Sequence, residues 1–299
     1  MTAHHVFTGL RTALSTSAPF VLLACALVAL AYWMLDPNPP RRVVLATGVA
    51  QGAYAEFGQR YADRLKKHGI DVELRNTQGA AENLALLRDS SSNVQIGFVQ
   101  GGASQAPDAE TTLKSPLQSL GSMFYEPVWL FYRTDSAQRL LQKPTLDSLS
   151  QLAGWRVNIG AAGSGVPHLA TQLLDANRIE PSTIALSQQP VTPAVIELLE
   201  SRLDALVLAS APESAMVQML LQTPGIALFD FAQAEAYTRR FGFLSAVTLP
   251  RGVVDLARDM PAADVRMVAP TATLVVREGL HPALAQLFVQ AARDVHGNS

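Results

Sequence analysis

Cysteine is almost absent from this chain of 299 residues. Cys25 stands alone, which excludes an intrachain disulfide and any cysteine-based metal site. Histidine is scarce as well: six are present, none at a metal-ligand spacing, and the adjacent pair His4 and His5 has no third ligand in sight. No metal or cofactor is therefore expected. Charge is sparse, with Asp, Glu, Lys and Arg making up 16% of residues and summing to a formal −2. Lysine and arginine are scattered, so there is no basic face of the kind that neutralises a phosphate backbone, and nucleic acid is not expected as a partner. What the chain does hold is apolar residues, 48% of the total, enough to fill two α/β cores at the usual domain size.

The longest apolar run lies near the N-terminus. No charged residue occurs between Arg11 and Asp36, and Phe20 to Leu35 is apolar on every helical face. Counted back through Thr12, the run is long enough for a membrane span of about 20 helical residues, with Tyr32 and Trp33 at the far interface. An uncleaved anchor is the favoured reading and a cleaved signal peptide its rival, although no small-x-small cleavage site follows Trp33. Arg41 and Arg42 compete with Arg11 in setting the orientation. Pro37, Pro39 and Pro40 then enforce an extended spacer.

From Arg42 onward the pattern changes to short apolar runs that alternate with helical periodicity. Val43 to Ala46, Val72 to Arg75 and Val94 to Val99 have the character of buried strands. Between them, Ala53 to His68 carries Tyr54, Phe57, Tyr61 and Leu65 on one helical face, and a second helix carries Leu84 and Leu87. Gly69 suits the first helix's C-terminal cap. The order β-α-β-α-β with right-handed crossovers predicts parallel strands whose carboxyl ends lie side by side. It recurs at Trp155 to Gly160, Ile184 to Leu186 and Ala205 to Ala209. Loops after the strands then gather at one edge, where open α/β sheets bind ligands with the help of helix N-termini. Pro127 to Tyr132 reads as a strand crossing between lobes. Phe241 to Leu249 and Arg266 to Val276 read as a return to the first lobe, and two crossings make a hinge.

Two motifs invite chemistry that their spacing does not support. Ser164 sits between glycines, but a nucleophile elbow needs glycine at position 162, which is Ala162. His168 begins a helix, where it reads as a solvated first-turn residue rather than a base. Gly48 and Gly52 lack the glycine of a dinucleotide fingerprint, because position 50 is Ala50. No catalytic residue is assigned. An anion held by backbone N–H groups and the Ser164 hydroxyl at a helix N-terminus fits the Gly163-Ser164-Gly165 loop, and a loop chosen only for tight turning is its alternative. Tyr54 is a ligand contact or a core residue. Asn83 and Gln100 are neutral groups suited to orienting a polar solute or to bonding local backbone.

Three segments together carry a family resemblance: Ala46-Thr47-Gly48-Val49-Ala50-Gln51-Gly52-Ala53-Tyr54, then Asn76-Thr77-Gln78-Gly79-Ala80-Ala81-Glu82-Asn83-Leu84, then Ile96-Gly97-Phe98-Val99-Gln100. With Gly163-Ser164-Gly165 and the crossover Tyr125-Glu126-Pro127, they resemble the TAXI family of solute receptors of TRAP transporters, here in a membrane-anchored form. The likeness is good from Arg42 to Phe231. It implies an α/β, two-lobed type II periplasmic-binding-protein-like fold that captures a small carboxylate, an amino acid or a dicarboxylate, and hands it to the integral membrane subunits of an ion-driven carrier. Carried over by motif, it also implies that Thr47, Gly48, Tyr54, Asn83 and Gln100 line the cleft from the first lobe, and Ser164 and Gly165 from the second. The chain departs from the family in having Val166 where threonine is usual, and Gly101-Gly102 where an acidic residue is usual.

These features divide the chain into a stub and transmembrane anchor at 1–36, a Pro-rich linker at 37–41, a first lobe from 42–126 and 233–299, and a second lobe at 127–232. The expected function is a receptor in the bacterial inner membrane with its soluble part in the periplasm, and not an enzyme. An enzyme on the same fold, or a tethered sensor without transport, is the alternative.

Overall fold

The computed structural model describes residues 18, 20–30, 32, 39–50, 52–103 and 116–297. Much of the expected anchor, and Pro37 and Asn38 of the linker, lie outside the described residues. Residues 20–30 are helical and expose apolar side chains such as Phe20, Leu22 and Val28. Among the described residues no helix is long and apolar enough to cross a membrane.

The first lobe opens with β1 (Arg42–Ala46), α1 (Ala53–Lys66), β2 (Asp71–Arg75), α2 (Ala80–Arg88) and β3 (Ile96–Gln100). β1 lies between β2 and β3 and is parallel to both, with Val43 opposite Val72 and Leu45 opposite Ile96. Its side chains alternate between two cores, Val43 and Leu45 facing α1 and Val44 and Ala46 facing Leu87 and Val94. That double burial explains why the strand is continuously apolar rather than alternating. On α1, Tyr54, Gly58, Tyr61 and Leu65 are buried, the spacing of one helical face. Tyr61 is fully buried, and removing such a side chain from water contributes about 2–3 kcal/mol.

The chain crosses over through β4 (Leu117–Tyr125) and β5 (Val128–Arg133). The second lobe holds α3 (Thr134–Leu141), β6 (Arg156–Asn158), α4 (Val166–Ala176), β7 (Ala185–Ser187), α5 (Val191–Leu199), β8 (Ala205–Ala209), α6 (Ala215–Leu221) and β9 (Ile226–Leu228). Its sheet runs β7-β6-β8-β5-β9, with β6 parallel to β7 and β8 and with β5 antiparallel to its neighbours. β5 again alternates between cores, Val128, Leu130 and Tyr132 on one side and Trp129 and Phe131 on the other.

The return differs from the expectation that 233–299 belongs to the first lobe. α7 (Ala234–Arg240) and β10 (Leu244–Leu249) come next, then β11 (Val265–Arg277) and α8 (Pro282–His296). Ala234, Tyr237, Leu244 and Val268 are buried in the second lobe's core, and Leu249 and Met267 in its other face. The crossing falls instead inside β11. Its residues up to Pro270 pair with β10, and from Thr271 they pair with β4 and, one residue later, with β3. The strand's 13 residues thus pair with β10 in their first half and with β3 and β4 in their second. The two crossings touch where the Glu126 N–H donates to the Pro270 carbonyl at 2.9 Å.

Candidate functional site

A cavity of about 420 Å³ lies between the lobes, walled by the loops that follow the parallel strands of both sheets. Four helices of eight residues or more begin on its wall: α1 at Ala53, α2 at Ala80, α4 at Val166 and α5 at Val191. None of the four has a side-chain hydrogen bond from its N-cap residue. Their partial positive ends therefore lie beside whatever occupies the cavity. The described lining residues include no Lys, Arg or His, and Glu126 is the one carboxyl group among them.

Glu126 is 5% exposed. Its Oε2 accepts a hydrogen bond of 2.7 Å from the Tyr54 hydroxyl. Burial drives the carboxyl up to about 7, against the smaller downward pull of the Tyr54 hydroxyl and the Gln100 amide. Burial, followed by the neighbouring Glu126, holds the Tyr54 phenol well above its ordinary range. Tyr54 also stacks on Phe98, with ring centroids 5.0 Å apart, so α1 and β3 fix its ring while its hydroxyl reaches the hinge.

The seven residues expected at the cleft divide into two groups. Gly48, Tyr54, Gln100, Ser164 and Gly165 lie on the cavity wall, whereas Thr47 and Asn83 do not line it. Both of the latter are fully buried, and their polar groups are committed to backbone. Asn83 Nδ2 donates to the carbonyls of Thr47, at 2.5 Å, and Phe98, at 2.8 Å, while its Oδ1 accepts from Thr77 Oγ1 at 2.7 Å. Thr47 Oγ1 donates to the Arg75 carbonyl at 3.2 Å. This network ties the ends of β1, β2 and β3 beneath the cavity and holds their loops in register.

Ser164 lines the cavity, yet its hydroxyl donates to the Ala161 carbonyl at 2.7 Å and accepts a long bond from the Val166 N–H at 3.4 Å. His168 Nε2 lies 2.7 Å from Gln172 Nε2. Among the described residues no group of three His, Cys, Asp or Glu side chains is placed to hold a metal.

The loop from Gly163 to Gly165 closes against the first lobe. The Glu82 N–H donates to the Gly163 carbonyl at 3.1 Å. A Cβ at Gly163 would lie 2.5 Å from the Gln78 Cβ, and one at Gly165 would lie 2.2 Å from Gln100 Oε1. Glycine is needed at Gly163, where the neighbour is a Cβ held by its backbone, whereas at Gly165 the end of the Gln100 side chain would have to swing aside.

Glu126 is the wall residue that the sequence alone did not single out as a site. Its signal was an acidic residue followed by proline between two apolar strands, and that segment reads as a crossover. Gln78, Thr192 and Ser214 also reach the wall without a motif to mark them.

A family model described as the NMT1-like family matches residues 45–293. The chain belongs to that family. No curated protein matches it by sequence. Among solved structures, a protein from Bordetella bronchiseptica RB50 is similar at a TM-score of 0.56 and 14% identity, covering 85% of this chain and 70% of that one. The GluR0 ligand-binding core in complex with L-glutamate is similar at 0.52 and 10% identity, covering 87% and 94%. The effector-binding domain of QuiR in complex with shikimate follows at 0.51 and 11%, covering 87% and 99%. At such identities the likeness is one of fold: a mixed α/β, two-sheet architecture of the type II periplasmic-binding-protein kind.

Proposed function

We propose that the chain is the extracytoplasmic solute receptor of a TRAP-type secondary transporter, closing its lobes on a small carboxylate and delivering it to membrane subunits without catalysing a reaction. The observation that carries this reading is the cavity of about 420 Å³ lined from both lobes and met by four helix N-termini. Helix N-termini favour an anionic group, and a cleft spanned by a two-stranded hinge allows capture by closure, provided the solute prefers the closed state. L-Glutamate and shikimate, bound by two proteins of similar fold, both carry a carboxylate.

The anchor belongs to the same proposal. The exposed apolar helix at 20–30 supports a tether to the bacterial inner membrane, with the two lobes in the periplasm. The test is thermal unfolding of the full chain in detergent with amino acids and dicarboxylates, together with mass spectrometry of solute retained through purification. A receptor is expected to gain several degrees with at least one of these solutes. No shift with any of them, and no retained carboxylate, would overturn the assignment.

A further inference from the structure

We propose that Glu126 is the recognition group for a protonated amine on the solute, so that the cleft takes an amine-bearing carboxylate in preference to a dicarboxylate. This inference rests on the receptor reading and narrows its ligand. A dicarboxylate would bring two negative charges into a cavity whose described wall has no Lys, Arg or His and already holds one carboxyl group. The four helix N-termini, each equivalent to about half an elementary charge and acting only over the first turn, offset about two such charges at most. A dicarboxylate beside an ionised Glu126 makes three, which would force Glu126 to remain protonated or leave a buried charge unpaired, at a cost of several kcal/mol.

An ammonium group reverses each of these costs. It offers three donors and a charge of the sign the wall lacks. One acceptor awaits it on the hinge side. Among the described residues Glu126 has the Tyr54 hydroxyl and the Gln100 amide as neutral partners, but no cation. Gln100 Oε1 is shut off against Gly165, so on this side of the cavity the carboxyl group is the acceptor that lines the wall, and a buried carboxylate without a counter-charge calls for a positively charged ligand. Serving only as a hinge tie would not require an acid here, because the bond to Pro270 uses the Glu126 backbone N–H and the side chain binds Tyr54 within the first lobe.

Of the groups packed on Glu126, Tyr54 from α1 and Gln100 from β3, only Tyr54 titrates, and it does so far above neutrality. The Glu126 carboxyl group therefore sets any pH dependence of binding near pH 7, while the amine of an amino acid stays protonated.

The test is isothermal titration of the full chain in detergent with matched pairs, each common α-amino acid against the α-keto acid of the same skeleton, and with succinate and malate. The amine member of at least one pair is expected to bind at least about tenfold more tightly, and its affinity to rise about tenfold from about pH 6 to about pH 8. Glu126→Gln is expected to remove both the discrimination and the pH dependence. A keto acid or dicarboxylate that binds as tightly as its amine counterpart, or a flat pH profile, overturns the inference and leaves the receptor assignment standing. No binding by any probe removes both. Should Glu126→Gln fail to fold, the matched pairs and the wild-type pH profile decide.

Discussion

The Tyr54 hydroxyl donates to Glu126 Oε2 at 2.7 Å across 72 residues of sequence, joining the first helix of the chain to the hinge between the lobes. Both side chains are buried. Tyr54→Phe is expected to remove one donor from the carboxyl group, lowering stability by about 1 kcal/mol at mildly acidic pH. The loss should be larger above neutrality, where the bond is to a charged acceptor. Urea unfolding at the two pH values checks this; equal losses would mean that Glu126 does not ionise in the folded chain.

Glu126 also gives the fold a pH dependence of its own. Its carboxyl group titrates at about 7 in place of 4.5 because burial disfavours the charged form. The folded state therefore binds the proton more tightly than the unfolded one. The associated stability is complete below the unfolded value and is lost as pH rises through about 7, amounting to about 3 kcal/mol. Glu126→Gln should flatten the unfolding midpoint between about pH 5 and about pH 8.

Asp204 acts in the opposite sense. Burial would raise it, but the Arg156 guanidinium, the Ser136 hydroxyl and the Arg156 N–H hold it at about 2, through bonds of 2.6–2.9 Å that also include Arg139. Its contribution is present above the unfolded carboxylate range and disappears as pH falls through about 2. Asp204→Ala should cost about 2 kcal/mol near neutrality, a value discounted because both arginines are substantially exposed. Little of that cost should remain in strong acid, as acid titration followed by circular dichroism would show.

Asn83 and Gln100 should separate cleanly on substitution. Asn83→Leu removes the amide donor from the carbonyls of Phe98 and Thr47, leaving the Thr77 hydroxyl on the latter, and is expected to lower stability by about 2 kcal/mol. Gln100→Ala removes the amide donor to the Glu126 carboxyl group and is expected to lower stability by about 1 kcal/mol while weakening solute binding. Paired denaturation and titration of the two variants provide the check.

Closure can be tested at Gly163. A methyl group there would meet the Gln78 Cβ, a position that cannot move without its backbone. Gly163→Ala is expected to shift the lobes toward an open arrangement and raise the solute Kd about tenfold or more, with the unfolding midpoint of the solute-free protein little changed. Small-angle scattering with and without solute would show the wider form persisting.

Much of the architecture was legible in local pattern. Val43 to Ala46 and Ala205 to Ala209 read as buried strands because both faces of each are covered, and continuous apolar runs record that. Tyr54, Tyr61 and Leu65 marked one face of α1, and all three are buried there. The second crossing was misplaced because apolar alternation in β11 carries no sign of which lobe each half joins. Thr47 stood in a loop after a strand and Asn83 near the start of a helix at the cleft, but whether a polar side chain faces solute or backbone depends on rotamers and neighbours far along the chain.

By itself, the sequence determined the repeated strand-helix order, and with it the place where the loops gather, because crossover handedness and hydrophobic periodicity are local properties of the chain. Only the tertiary structure decided that Glu126 would be the carboxyl group in that cleft. Its neighbours Tyr54 and Gln100 come from elements distant in sequence, and the desolvation that keeps its proton near neutrality exists only when both lobes and the hinge are assembled.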